Sequence, residues 1–287
     1  MKFGIGVILY NPDEFVLDRL IEYSSITETI YIYDNTEGKN IFSEKISQLF
    51  SNYFSFNKNL GMSEALNKIF ESSIEDNLDY VLTMDQDSDF SKESINNMLT
   101  FIKANSNDSV SIYCPNYRKI YLGSDGSDHF GKYAIPLTEN KSVNFSMTSG
   151  SFCKIDEIKT VLPLKDLFIG YVDNDLCFEM LSNNKQILMV GNIGFSQRVG
   201  SPVKATLLNK FFRVVHQNEL RYYYMTRNNF ELQKKYKDSP KIRKQLVKNL
   251  IRIYINILIG ERNKIKKIKA SHEGYVDYKN GELGKKK

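Results

Sequence analysis

Two aspartates one residue apart, Asp85 and Asp87, close the apolar run Tyr80-Val81-Leu82-Thr83-Met84. A short apolar run bounded by polar residues reads as a buried strand, and ligands of open α/β sheets collect at the carboxyl ends of such strands. Carboxylates in that position suit a hard divalent cation, which takes one or two of them and fills its shell with substrate phosphates and water. The same residues also suit a plain strand-to-helix loop, with Ser88 or Ser91 capping the next helix. Farther along, Thr148-Ser149-Gly150-Ser151 is a small-residue turn that lets backbone approach a ligand closely, or simply a loop. Asp173 and Asp175 precede Leu176, Phe178, Met180 and Leu181. Asp173 can act as the cap of that helix, with Asp175 favoured by its dipole.

The elements that must position these side chains alternate in type. Strands are expected over residues 3–10, 29–33 and 53–56 and at the run before Asp85. Helices are expected from Asn11-Pro12-Asp13, over about 42–50, and after Asn59-Leu60-Gly61, where Ala65, Leu66, Ile69 and Phe70 share a face. This alternation predicts an α/β fold with a mostly parallel central sheet flanked by helices and right-handed crossovers. Asn11, Asp34 and Asp85 would then line one rim. The second half is less regular: a helix over 91–105, a strand over 110–114, an irregular or hairpin excursion over 116–142, and a strand over 143–147.

Several chemistries are excluded. No glycine-rich dinucleotide fingerprint or P-loop is present. His129, His216 and His272 lack partners at ligand spacing, which argues against a histidine zinc site. The three cysteines, Cys114, Cys153 and Cys177, are odd in number and widely spaced, as expected for reduced structural thiols in a cytoplasmic protein. The apolar start of the chain breaks at Asn11-Pro12, which fits a first strand better than a signal peptide.

Charge is unevenly distributed. Residues 233–287 hold 17 Lys/Arg against 5 Asp/Glu, so residues 1–232 carry −7 of a chain whose total is +5. In this basic segment Leu246, Val247, Leu250, Ile251, Tyr254, Ile257 and Leu258 follow helical spacing. The run is too short and too interrupted to span a bilayer. A basic amphipathic helix suits an anionic membrane surface, here the inner face of the cell membrane. The competing expectation is packing on the body or on a second subunit, as in a homodimer. Nucleic acid is disfavoured because the acidic body would repel it. Residues 271–287 are polar and rich in Gly and Lys, and are expected to fray.

Ile8-Leu9-Tyr10-Asn11-Pro12, Asp34-Asn35, Asn59-Leu60-Gly61 with Ala65 and Asn67, Asp85-Gln86-Asp87-Ser88, Thr148-Ser149-Gly150-Ser151, residues 168–175 and Arg221-Tyr222-Tyr223 with Arg227-Asn228 occur in one order. This order resembles inverting family 2 glycosyltransferases, and within them the rhamnosyltransferase-like branch. The resemblance covers about residues 3–230. It implies a GT-A fold over 1–232, with a nucleotide-binding part at about 1–115, an acceptor-binding part at about 116–232 and a basic amphipathic helical tail at 233–287.

The implied reaction moves a sugar, such as L-rhamnose from dTDP-rhamnose, from a nucleotide-diphosphate donor to a glycan or lipid-linked glycan acceptor. A UDP-hexose donor and a catalytically silent glycan- or membrane-binding subunit are the alternatives. By the resemblance, Asp87 and Asp85 would hold Mg2+ or Mn2+. Tyr10 would pack on the base and Asp34 would bond its edge. Asn59, Gly61 and Asn67 would lie near ribose and diphosphate, Asp173 would be the general base, and Arg227 would clamp phosphate or stack structurally. The sequence departs from the pattern twice: Gly170 stands where an acid is frequent, and Gln197 stands where a metal-binding His is frequent.

Overall fold

The computed structural model describes residues 1–122, 127–198 and 217–287. Val199 and Gly200 of the segment beginning at Gln197, and His216, lie outside the described residues.

Strands β1 (Phe3–Leu9), β2 (Ile30–Asp34), β3 (Tyr53–Ser55) and β4 (Tyr80–Asp85) pair in parallel in the order β3-β2-β1-β4. Helices α1 (Glu14–Ser24), α2 (Ile41–Leu49) and α3 (Gly61–Glu75) connect them. Successive side chains of a strand point to opposite faces, which divides the core in two. Ile5, Val7 and Leu9 of β1, Ile30 and Ile32 of β2, and Leu82 and Met84 of β4 enter one cluster. Ile8, Tyr31, Tyr33 and Val81 enter the other, where Leu66, Ile69 and Phe70 of α3 meet them.

Beyond β4 the sheet changes character. It continues through β8 (Ser151–Lys154), β5 (Val110–Leu122), β9 (Gln186–Arg198) and β7 (Lys141–Val143), of which β8 pairs antiparallel with both β4 and β5. The expected mostly parallel pairing holds from β3 to β4 and again further on between β5 and β9, with antiparallel pairing between and beyond. Short β6 (Asp128–Phe130) adds to β5. The strand expected at 143–147 is displaced, because residues 144–150 form the turn that leads into β8. Helix α4 (Lys92–Ala104) follows β4 and is capped by Ser91, whose hydroxyl accepts from the Ser94 N–H. Short α5 (Ile155–Ile158) and then α6 (Val172–Ser182) precede β9.

Helices α7 (Glu219–Lys235), α8 (Pro240–Gly260) and α9 (Lys264–Asn280) complete the chain. Helix α7 runs through residue 232, so the basic segment begins inside a helix of the body. The apolar residues expected to form one face of α8 are divided. Leu246 and Ile257 are buried, whereas Val247, Ile251 and Leu258 are exposed. Helix α9 lies tightly on α7, since a Cβ at Gly274 would fall 2.3 Å from the Tyr223 carbonyl oxygen.

The expectation that residues 271–287 fray is overturned. Residues 264–280 are helical, and the segment after them is tied down. The Gly284 carbonyl accepts from Arg227 at 2.7 Å, the Gly284 N–H donates to the Asp166 carbonyl, the Lys286 N–H donates to the Tyr224 hydroxyl at 2.8 Å, and Lys285 pairs with Glu37. Polar composition was read as disorder, yet each of these residues completes a hydrogen bond that the body would otherwise leave open. Truncation after residue 280 should therefore cost about 2–4 kcal/mol, given roughly 1–1.5 kcal/mol per net hydrogen bond and more for the buried Arg227. Thermal denaturation of the truncated chain checks this, and an unchanged Tm would refute it.

Candidate active site

At the carboxyl ends of β1 and β4 the chain encloses a cleft of about 1100 Å3. Tyr10, Asn59, Gly61, Asp85, Asp87, Asp173 and Gln197 all line it. The two acids after β4 and the acid on α6 therefore face one space, although 86 positions separate Asp87 from Asp173.

The end of β4 is held by its neighbours. Gln86 grips the backbone of Tyr10: its amide donates to the Tyr10 carbonyl (3.0 Å), and its oxygen accepts from the Tyr10 N–H (2.8 Å). The Tyr10 ring itself stays 48% exposed in the cleft. Thr148-Ser149-Gly150-Ser151 is a bracket rather than a ligand-facing turn. Ser149 Oγ accepts from the Asp85 N–H (3.0 Å) and donates to Ser88 Oγ (2.7 Å), while Thr148 Oγ1 donates to Asp173 Oδ1 (2.8 Å). Gly150, at φ +84°, makes the turn that lets its N–H reach the Thr83 carbonyl.

Asp173 stands in the first turn of α6, where the helix dipole favours an acid. The loop before it is strained, because Phe168 and Tyr171 both take the left-handed conformation (φ 61° and 66°), which costs about 1–3 kcal/mol each. Arg227 and Asn228 hold it there. Arg227 donates to the Leu167 carbonyl (3.0 Å), and Asn228 donates to those of Leu167, Ile169 and Gly170 (2.8–3.0 Å). Gly61 allows this loop to close on the first half: its Cβ would fall 2.5 Å from the Phe168 oxygen, to which the Met62 N–H donates.

Three residues expected in the site are not brought to the cleft. Asp34 is fully buried, and its oxygens accept from the Thr36 N–H, Ser43 Oγ and Tyr53 OH, which leaves no edge for a base. Asn67 exchanges hydrogen bonds with the Leu164 backbone. Arg227 is fully buried and stacks on Tyr223 and Tyr224, so of its two expected roles the structure shows the structural one. Asp175 pairs with Lys235 and accepts from Tyr236 OH, which makes it a support of α6. Asn35, Arg221, Asn249, Arg252 and Asn256 line the cleft but were missed. For α8 a signal existed: Asn249, Arg252 and Asn256 recur at helical spacing between its apolar residues. Arg221 gave no signal beyond its place one residue before the tyrosine run.

The electrostatics are unbalanced. Burial, then the charges of Asp173 and Asp87, push the Asp85 carboxyl up to about 7 against the pull of Arg221. Burial also raises Asp173, opposed by its Thr148 hydrogen bonds and by Arg221. Among the described residues no three His, Cys, Asp or Glu form a ready-made metal cage. Asp85, Asp87 and the Gln197 amide therefore fit a hard cation that brings further oxygen ligands with it, and the excess negative charge at Asp85 is what such a cation would neutralise.

The raised Asp85 pKa has a sign that can be tested. An unfolded aspartate titrates near ~4, so between about pH 4 and 7 the folded chain holds a proton that the unfolded chain has lost. Stability should fall as pH rises through that window. Asp85→Asn should stabilise the ligand-free protein by on the order of 1–3 kcal/mol at pH 8 and by far less at pH 5. Thermal melts at both pH values measure this, and equal destabilisation at both would refute it.

Residues 14–149 match the sequence model of Glycosyl transferase family 2. The matched stretch includes Asp85 and Asp87 and stops before Asp173 and Gln197. No curated protein matches the chain. Among solved structures, GalNAc-T7 with UDP, GalNAc and Mn2+ is similar at 15% identity and TM-score 0.54, over 86% of this chain and 54% of that one. TarS of S. aureus is similar at 13% and 0.50, over 96% and 43%. A structure of TarS 1-349 is similar at 13% and 0.49, over 98% and 72%. The chain thus spans about half the length of the two longer relatives. It has the GT-A arrangement, a mixed α/β sheet flanked by helices, and carries over residues 14–149 the sequence pattern of a family 2 glycosyl transferase.

Proposed function

We propose that the chain is an inverting glycosyltransferase that moves a sugar from a nucleotide-diphosphate donor to a hydroxyl of a glycan or lipid-linked glycan. The observation that carries this reading is the shared cleft of Asp85, Asp87 and Asp173. A single displacement needs two functions on opposite sides of the anomeric carbon: neutralisation of the departing diphosphate, and a base for the incoming hydroxyl.

Tyr10 offers its exposed ring to the nucleobase, and Asn59 and the Gly61 turn, which Asn35 braces through the Leu60 N–H and the Gly61 carbonyl, face the ribose and diphosphate. Asp85, Asp87 and Gln197 would hold Mg2+ or Mn2+, which stabilises the negative charge that develops on the leaving phosphate. Arg221, close enough to lower the pKa values of both Asp85 and Asp173, adds a fixed positive charge on that side. Asp173, oriented by Thr148, accepts the proton of the acceptor hydroxyl. The new C–O bond forms on the anomeric carbon as the bond to the diphosphate oxygen breaks, and the nucleoside diphosphate leaves with the electron pair.

On the resemblance at Asp85-Gln86-Asp87-Ser88 and Arg221-Tyr222-Tyr223, the donor is dTDP-rhamnose. The second donor reading is a UDP-hexose, as the UDP bound in the GalNAc-T7 structure illustrates for that fold. We place the reaction at the cytoplasmic face of an anionic membrane. Val247, Ile251 and Leu258 on α8, and Ile265 (84% exposed) and Ile268 on α9, are exposed apolar side chains, with the basic Lys244, Lys248, Arg262 and Lys264 near them in sequence. No helix of the described residues is long and apolar enough to cross the membrane.

Incubation with Mg2+ or Mn2+ and either dTDP-rhamnose or a UDP-hexose tests the chemistry. Wild type should release the nucleoside diphosphate from one donor, Asp87→Ala should abolish release, and Asp173→Asn should slow transfer by about 10²–10⁴-fold while still binding donor. A wild type inert with every donor would instead support the silent-subunit reading. Flotation with phosphatidylglycerol vesicles tests the membrane face. Wild type should float and Leu258→Glu/Ile265→Glu should stay in solution, whereas equal flotation would reject the assignment.

A further inference from the structure

The catalytic cleft continues past α7. A second cavity, of about 470 Å3, shares Asn218 and Leu220 with it and is otherwise lined by Glu219, Lys266, Lys269, Ala270, Glu273 and Lys286. Lys266, Lys269, Ala270 and Glu273 recur at helical spacing, so one face of α9 forms this wall. The wall is fixed in place, because Ala270 is buried in a cluster with Tyr223 and Tyr224 and Gly274 sits against the Tyr223 carbonyl. Lys286 is delivered by the docked C-terminal segment, through the hydrogen bond from its N–H to Tyr224.

The charges in this cavity are not used up by the fold. Lys286 is committed to Glu273 at 2.7 Å, and that hydrogen bond, helped by Lys269, holds the Glu273 carboxyl below its usual range. Neither Lys266 nor Lys269 makes an ion pair among the described residues. Glu219 stands in the first turn of α7, whose positive dipole end faces the same wall. Three lysines against two glutamates leave the cavity positive, and Arg221 and Arg252 extend that sign into the catalytic cleft. Lys266 and Lys269, one turn apart on one helix face, repel each other, and together they suit a multiply charged oxyanion. The polar residues Asn249, Arg252 and Asn256 also line the cleft, and Asn256 Oδ1 is enclosed with no hydrogen-bond partner among the described residues. It is an acceptor atom suited to a sugar hydroxyl.

We propose that the Lys266–Lys269 cavity is an anion subsite for the acceptor substrate, receiving a phosphate ester or pyrophosphate carried by the same molecule whose hydroxyl reaches Asp173. This assignment rests on the transferase reading above. It narrows the acceptor class from glycans in general to phosphate-bearing ones, whether the phosphate belongs to a lipid carrier or to a soluble polymer.

The test is calorimetric titration of the full chain with Mg2+, UDP and dTDP in excess, so that the donor phosphate site is filled. Decyl phosphate and glycerol 2-phosphate are the probes, and decyl glucoside is the uncharged control. Wild type should bind the phosphates, Lys266→Ala/Lys269→Ala should bind them at least about tenfold more weakly, and Lys266→Arg/Lys269→Arg should retain them. A lipid carrier is indicated if decyl phosphate binds far tighter than glycerol 2-phosphate, and a soluble phosphate-bearing glycan if the two bind alike. Equal phosphate affinity in wild type and the double-alanine variant, with both variants melting normally, overturns the proposal. Release of nucleotide from the donor by wild type reports separately on the transferase reading, so either idea can fail without the other.

Discussion

Carboxylates that face one another in a partly enclosed space separate or take up protons unless the scaffold holds them together. Asp85, Asp87 and Asp173 are held together in this chain, and burial, followed by the charges of Asp173 and Asp87, displaces the Asp85 carboxyl to about 7. Two devices hold them. The Thr148–Ser151 bracket binds the end of β4 with one hydroxyl and Asp173 with another, so the two acids share a single rigid support. Arg227 and Asn228 pin the carbonyls of residues 167–170 and keep the left-handed turn that aims α6 at the cleft. Charge repulsion and backbone strain are thus concentrated in the place where the proposed cation and donor would bind.

That arrangement explains which parts of the sequence were legible. The strands β1, β2 and β4 were readable because they are buried on both faces and therefore nearly continuously apolar. The Asp-Gln-Asp stretch was readable as the polar end of such a strand, but the same residues suited a plain strand-to-helix loop, and only the geometry shows Asp85 and Asp87 facing the cleft. Strand β9 was not readable: Gly191, Asn192 and Gly194 interrupt its apolar residues, and the Gly191 N–H is held by the Asn140 side chain rather than by a regular ladder. Nor could the direction of a side chain be read. Asp34, Asn67 and Arg227 lie within the resembling segments, yet each turns away from the cleft to satisfy backbone or hydroxyl groups that burial would otherwise leave unpaired. Similarity at Arg227-Asn228 therefore reports the shape of the loop before Asp173, and carries no information on the sugar.

The basic segment shows the opposite failure. Its composition suggested a separate tail, but charge counted along a chain does not reveal where each charge goes. Lys235 closes on Asp175 and Glu179, Lys267 is buried against Glu261, which also accepts from Tyr222, and Lys285 reaches Glu37 between β2 and α2. Part of the positive excess is thus spent neutralising an acidic body. What remains is spatially concentrated on the exposed side of α8 and along one face of α9.

Helix α8 joins these themes. One of its faces packs Leu246, Ile253 and Ile257 inward, a second presents Asn249, Arg252 and Asn256 to the cleft, and a third leaves Val247, Ile251 and Leu258 uncovered. A helix fixed between the cleft and an exposed apolar face links the two, because any shift that repacks Ile253, which lies on both the core and the cleft, also moves Asn249, Arg252 and Asn256 on the same helix. The cleft residues Asn249, Arg252 and Asn256 and the exposed Val247, Ile251 and Leu258 thus belong to one helix, and a change to either set bears on the other.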